Sequence, residues 1–270
     1  MLFIRTDTAR LLASIAVTAL LALPAAGCKT TDDETTGSIR AAALTATPRT
    51  DAEWRESAAA WGERYRTNTG DAEAAMHYAR ALRAIGERAQ AVAVLQQASL
   101  QNPYDKALLG DYGRALAEVG DFNQALAVLS RAHTPDQPDW RILSAQGAVL
   151  DQMGRHEEAQ RHYSSALKIK PNDPSVLSNL GLSYALSKDL KRAEATLRRA
   201  LAQPGAEPKV RQNLALVVGL QGRFAEAEKI ASAELPPDQA AANVTYLRQM
   251  LAQRGADKKQ TARQAAANNS

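Results

Sequence analysis

Residues 174–207 read "PSVLSNLGLSYALSKDLKRAEATLRRALAQPGAE" and predict a pair of helices. Pro174 is typical of the first residue of a helix, where the missing N–H costs nothing. Small residues stand at the eighth and twentieth positions, Gly181 and Ala193, and Leu197 follows at the twenty-fourth. Helices that approach closely at small residues, with larger apolar groups around the crossing, produce this pattern. The stretch therefore predicts a helical hairpin.

The same pattern occurs five times with a constant period of 34 residues and no gaps. An acidic residue precedes each block, where it can cap the first helix. Glycine ends the first helix at the fifteenth position of four blocks, whereas Lys188 stands there in the fourth. Gln146 also departs from the pattern, at the seventh position of the third block. The five blocks are residues 72–105, 106–139, 140–173, 174–207 and 208–241.

These residues resemble the tetratricopeptide-repeat (TPR) family over 72–241. The resemblance implies an all-α fold, a right-handed TPR solenoid of helical hairpins. A terminal repeat exposes an apolar face and needs a cap. We expect an N-terminal capping helix in 51–71, a C-terminal capping helix in 242–253 and a disordered tail in 254–270. The last block departs from the repeat pattern near its end, at Ala231 and Glu234, which predicts a short second helix there.

The N-terminal region resembles an export signal. Residues 11–23 form an apolar run of 13 residues behind a basic start, whereas a bilayer-crossing helix needs about 17 to 25. The run ends in "LPAAGC", which resembles a bacterial lipobox, and Cys28 is the only cysteine. We expect a lipoprotein signal peptide in 1–27, lipidation of Cys28 and a flexible tether in 28–50.

The sequence shows no catalytic constellation. There is no phosphate-binding glycine loop and no G-x-S-x-G, and His156 and His162 stand six residues apart, which puts them on different helix faces. The net charge of +4 is nearly balanced and does not favour nucleic acid. We predict a protein that is not an enzyme and has no cofactor, no metal site and no small-molecule substrate.

A partner-binding groove is the remaining candidate site. The TPR resemblance implies that the first helix of each block lines a concave surface. This surface would be basic at one end and apolar at the other, which suits a partner with acidic residues and leucine-like anchors. A solvated face is the alternative for the arginines. Asn179 and Asn213 are interpreted as structural. The candidate groove residues are Arg80, Arg83, Arg114, Arg141, Leu182, Leu216 and Leu220.

The lipobox, the Thr-rich tether, the five repeats and a motif formed by Trp61, Tyr65, Asn68 and Asp71 together resemble the TadD lipoproteins of tight-adherence (Tad or Flp) pilus systems. The resemblance implies a scaffold at the bacterial outer membrane, facing the periplasm, with pilus or secretion proteins such as the secretin as partners. Three alternatives stay open. They are a pilotin of another type IV pilus, the lipoprotein of a β-barrel assembly machinery, and an adaptor for cell-wall enzymes.

Overall fold

The computed structural model describes residues 48 and 50–267, with side chains through Arg254. Within these residues the regular elements are twelve helices. We number them in chain order: α1 (Asp51–Thr67), α2 (Ala72–Ala84), α3 (Arg88–Gln101), α4 (Lys106–Glu118), α5 (Phe122–Arg131), α6 (Trp140–Gln152), α7 (His156–Ile169), α8 (Pro174–Leu186), α9 (Leu190–Leu201), α10 (Pro208–Leu220), α11 (Phe224–Ala231) and α12 (Pro237–Ala267).

The helices form two compact units. The first comprises the described residues through Pro138 together with Gln152–Gly154, and the second comprises Asp139–Asp151 and the residues from Arg155 onward. In the first unit, consecutive helices pack from α1 to α5, and α2 also contacts α4. In the second unit, α7 to α12 pack consecutively, and α8 also contacts α10. The first helices of neighbouring repeats therefore lie side by side within each unit.

Acidic residues define the starts of the first helices. In four of the five repeats an aspartate accepts a hydrogen bond from a backbone N–H of the first turn, at 2.7 to 3.1 Å. Such a cap satisfies a donor that has no partner within the helix. Glu207, which precedes the fifth repeat, makes no such bond. The four capping residues are Asp71, Asp105, Asp139 and Asp173.

The turns between paired helices need a left-handed backbone. The residue at the fifteenth position has a φ between +68° and +90° in all five repeats. Glycine adopts this conformation without steric cost. Lys188 adopts it in the fourth repeat with φ +68°, where a Cβ meets the neighbouring carbonyl. The turn is thus imposed on Lys188 by the packing of the helices on either side.

Glycine at the eighth position permits the hairpin crossing. A Cβ added to Gly147 would lie 2.7 to 2.9 Å from ring atoms of Tyr163. At Gly181 it would lie 2.6 Å from Leu197 Cγ and 3.3 Å from the Ala193 carbonyl oxygen. The twenty-fourth residue therefore packs directly over the eighth, and both helices are fixed by that contact.

The N-terminal helix α1 covers the first repeat. Trp61 is buried and stacks on the ring of His77, with centroids 4.2 Å apart and planes 9° from parallel. Tyr65 is buried beside Tyr78. Arg64 bonds Asp71 at 2.9 Å and Glu73 at 2.8 Å. Aromatic stacking and ion pairs together hold α1 on α2.

The C-terminal end differs from the prediction. The expected capping helix in 242–253 is a longer helix, Pro237–Ala267, which begins inside the predicted fifth block and continues through most of the predicted disordered tail. The second helix of the fifth repeat, α11, has 8 residues and ends at Ala231. Pro236, which cannot continue a helix, follows the turn, and Pro237 begins the next helix. Residues 254–267 are rich in Ala, Arg, Lys and Gln, which favour helix despite Gly255.

The first half of α12 closes the second unit. Ala240 and Val244 are buried, and Leu247 packs over Gly219 of α10, where an added Cβ would lie 2.5 Å from Leu247 Cδ2. Over the described part of the chain, no helix has the length and apolar character needed to cross a membrane. The predicted signal peptide, Cys28 and nearly all of the predicted tether lie outside the described residues.

Candidate partner-binding surfaces

The first-helix face of the first unit is the surface formed by α2 and α4, and it carries three of the predicted groove arginines. Arg83 is half-buried, and its guanidinium bonds both carboxylate oxygens of Glu118 on the next repeat, with Nε 2.9 Å from Oε2. The Glu118 hydrogen bond raises the pKa of Arg83. Arg83 is therefore part of the contact between repeats.

The other two arginines of this face differ in whether they form an ion pair. Arg114 bonds Asp111, one turn earlier on α4, at 2.7 Å. Arg80 is exposed, and among the described residues no carboxylate bonds to it. An exposed and unpaired guanidinium keeps its donors available for a partner's carboxylates. Of the three predicted basic residues in this unit, Arg80 is the one best placed to bind.

The first-helix face of the second unit is the surface formed by α6, α8 and α10. Arg141 is exposed, with its guanidinium 4.5 Å from the ring centroid of its neighbour Trp140. Leu182, Leu216 and Leu220 are half-buried. Leu182 and Leu216 hold the same repeat position on adjacent helices, so their exposed parts can offer apolar surface to a partner.

Asparagines join the first helices of this unit. Asn179 Nδ2 donates to Ser144 Oγ at 3.3 Å, and Asn213 Nδ2 donates to Ser178 Oγ at 3.0 Å. Each bond connects one repeat to the preceding one. Both asparagines are thus engaged within the protein, as a structural role requires. The recurring Ser at the fifth position and Asn at the sixth position of the next block is a sequence signal for this pairing.

A buried carboxylate is the main polar feature of this unit, and its burial is not visible in the sequence, where Asp151 stands at a position expected to face the groove. Asp151 on α6 is 6% exposed. Its Oδ1 accepts from the Ser183 hydroxyl of α8 at 2.8 Å and lies 2.8 Å from His156 Nδ1, and its Oδ2 accepts from the Tyr163 hydroxyl at 3.1 Å. Three side chains from α7 and α8 therefore converge on one carboxylate.

The third repeat has its own polar arrangement. In the first two repeats a tyrosine at the seventh position accepts a hydrogen bond from a glutamine at the nineteenth, at 3.0 and 3.1 Å. In the third, Gln146 holds the seventh position and Tyr163 the twenty-fourth, where its hydroxyl reaches Asp151. The departure at Gln146 noted in the sequence thus accompanies a different buried network. Across the described residues, no cluster of three His, Cys, Asp or Glu side chains could hold a metal ion.

Family models match the repeats. The model described as tetratricopeptide repeat matches residues 84–147, and the model described as TPR repeat matches residues 147–188. The helical hairpins and their small-residue crossings agree with these matches. The fold is a tetratricopeptide-repeat solenoid. Among curated proteins, none matches the sequence of this chain.

Solved structures share the fold at low sequence identity. PilW, a widely conserved type IV pilus biogenesis factor, matches with a TM-score of 0.63 and 15% identity over 72% of this chain and 91% of its own. A thermophilic TPR protein of Thermus thermophilus matches with a TM-score of 0.57 and 23% identity over 66% of this chain and 99% of its own. The Cut9–Hcn1 structure of the APC/C matches with a TM-score of 0.56 and 18% identity over 76% of this chain and 45% of its own.

These solved structures share the fold of this chain, and the fold occurs in proteins of different roles. TPR repeats imply a scaffold for protein–protein interaction and are typically non-enzymatic. Within that class, the same hairpin stack serves a pilus factor and an APC/C assembly. The surface residues of this chain must therefore carry any finer assignment.

Proposed function

We propose that this protein is an outer-membrane-anchored scaffold that binds protein partners during assembly of a Tad/Flp pilus secretion apparatus. The observation that carries the binding role is the pair Leu182 and Leu216, half-buried at equivalent positions of adjacent first helices in the second unit. Exposed apolar surface on a protein-interaction fold is where a partner's apolar side chains gain most from leaving water.

The charge pattern supports a partner of mixed chemistry. In α8 no residue is charged, so binding at its leucines should depend little on salt. On the first unit, exposed Arg80 offers a separate contact for an acidic group, and such a contact is screened by salt. The Tad assignment and the outer-membrane location rest on the resemblance of the lipobox, tether and repeats. PilW, a type IV pilus biogenesis factor, has the same fold.

Site-specific photocrosslinking in intact envelopes tests the binding surface. A crosslinking side chain replaces Leu216, and a matched one replaces Ala195, which is exposed on the second helix α9. We expect partner adducts from position 216 that are absent from position 195. Leu216→Asp should abolish capture at any salt concentration, whereas Ala195→Asp should not. Equal adducts from both positions would contradict the proposed surface.

The identity of the adducts tests the assignment. Proteins of the Tad apparatus, the secretin among them, are expected. Adducts with the pore of another type IV pilus, with β-barrel assembly proteins or with cell-wall enzymes would replace this proposal by the corresponding alternative.

A cysteine substitution tests the anchor. Cys28→Ser removes the thiol that lipidation requires, and we expect the protein to leave the membrane fraction. Cys28→Ala should behave alike. Membrane association of both variants that survives a high-salt wash would show that the lipid anchor is wrong, independently of what the repeats bind.

A further inference from the structure

The Asp151 carboxylate joins two neighbouring repeats at a buried point. Asp151, His156 and Tyr163 belong to the third repeat, whereas Ser183 belongs to the fourth. Ser183 is completely buried, and its hydroxyl donates to Asp151 Oδ1 at 2.8 Å. Removing a carboxylate from water is costly unless donors surround it. The arrangement therefore makes one ionisable group responsible for a contact between repeats.

We propose that Asp151 is a proton-binding latch between the third and fourth repeats. As a carboxylate it holds the Ser183 hydroxyl strongly, and when it takes up a proton this link between repeats weakens while the fold persists. The latch is independent of what the first-helix face binds. It would make the coupling of α6 to α8 depend on pH.

The geometry accommodates both protonation states. As a carboxylate, Asp151 can only accept, so the hydroxyls of Ser183 and Tyr163 and the His156 Nδ1–H all donate to it. After proton uptake at Oδ1, the new O–H can donate to His156 Nδ1, 2.8 Å away, in the tautomer that carries its proton on Nε2, while Tyr163 still donates to Oδ2. Ser183 then donates to a neutral oxygen, and hydrogen bonds to neutral groups are weaker than those to charged ones.

Three hydrogen-bonding groups face Asp151 among the described residues. From α7 the titratable groups are His156 and Tyr163, and from α8 the neighbour is Ser183, which does not titrate at ordinary pH. Burial raises the pKa of Asp151, and the hydrogen bonds from His156, Ser183 and Tyr163 partly oppose this. The native protein therefore binds this proton at a higher pH than the unfolded chain does. Proton uptake by Asp151 thus does not itself unfold the protein.

The test compares two Ser→Ala substitutions in the full chain. Ser183→Ala removes the bond to Asp151, and Ser178→Ala removes the analogous bond between repeats to Asn213, which has no ionisable partner. Urea unfolding gives the equilibrium constant of each variant at about pH 7.5 and at about pH 4, near the ordinary aspartate pKa. A His156→Gln background removes the imidazole from the comparison.

Ser183→Ala should raise the unfolding equilibrium constant at both pH values. We expect the factor to be about fivefold larger at the higher pH, because the lost hydrogen bond then has a charged acceptor and not a neutral one. Ser178→Ala should cost the same at both. In Asp151→Asn, which imitates the protonated side chain, the pH dependence of Ser183→Ala should disappear. If the two Ser→Ala substitutions show equal pH dependence in the chain that keeps Asp151, the latch is overturned. That comparison does not require Asp151→Asn to fold.

Discussion

The guanidinium of Arg83 bonds the carboxylate of Glu118, joining the first helix of the first repeat to that of the second. The side chains are 25% and 35% exposed, so the pair is only partly shielded from solvent. A residue predicted for partner binding is thus committed to a contact inside the protein. Substitutions of Arg83 will change stability as well as any binding.

Reversing the charge of Arg83 should destabilise the first unit. Arg83→Glu removes the ion pair and places two carboxylates together, and we expect a loss of about 1 kcal/mol in the free energy of unfolding. The exchange variant Arg83→Glu with Glu118→Arg restores an ion pair and should recover most of the loss. Urea denaturation measures both. If the single and double variants unfold at the same urea concentration, the pair contributes nothing.

Replacing the glycine at the helix crossing of the third repeat with alanine should destabilise the second unit. In Gly147→Ala the new methyl group meets the buried ring of Tyr163 within 2.9 Å, and overpacking of this kind costs about 1 to 3 kcal/mol. Gly70→Ala is the matched control, because its close neighbour is the exposed, movable Gln101 side chain. Thermal melting should show a clear drop for Gly147→Ala alone, and comparable drops would count against a rigid crossing.

Enlarging Ala159 on the same hairpin should act in the same direction. Ala159 is fully buried at the twentieth position on α7. Leu at this position should overpack the hairpin and cost about 1 to 3 kcal/mol. The damage should reach the neighbouring repeat, since each repeat is stabilised by its neighbours. Circular dichroism melts measure the effect, and an unchanged midpoint would contradict the repeat alignment.

Relieving the left-handed turn at Lys188 should stabilise the second unit. Lys188→Gly removes the Cβ from a residue with φ +68°, and we expect a gain of about 1 kcal/mol. The reverse change at the equivalent turn, Gly222→Lys at φ +82°, should cost a similar amount. Chemical denaturation gives both values. A loss of stability in Lys188→Gly would mean that the lysine side chain contributes more than the turn strain costs.

The stack of Trp61 on His77 should weaken in acid. Burial lowers the pKa of His77, and Arg80 lowers it further. Protonation therefore favours the unfolded chain, so the contribution of neutral His77 is complete above the ordinary pKa of about 6.5 and declines as the pH falls below it. His77→Phe keeps an aromatic ring and removes the proton site. Urea midpoints between about pH 8 and pH 5 should fall less in His77→Phe than in the wild type, and equal slopes would exclude the imidazole as the cause.

The repeat pattern was readable in the sequence because it depends on local chemistry. Small residues must stand where backbones approach, aspartate caps a helix start, and glycine permits a left-handed turn. These requirements act within one hairpin and recur every 34 residues. The five first helices accordingly begin at the first residue of each predicted block.

The extent of α12 was not readable in the same way. A polar tail suggested disorder, yet its alanines, lysines and glutamines favour a helix once Pro237 starts one and Val244 anchors it on α10 and α11. A short helix of such residues is marginal alone. Packing of its first half on α10 and α11 therefore stabilises the helix, and this contact is not visible in the local sequence.

By itself the sequence determined the hairpins, their period and their caps, because each depends on residues close in the chain. Only the tertiary structure decided which polar groups are free. Arg83 pairs with a residue 35 positions away, Asp151 with one 32 positions away, and Arg80 remains exposed. Such partners lie on different repeats, and their pairing depends on how the helices pack. The surface left to a partner is therefore a property of the packed helices within each unit.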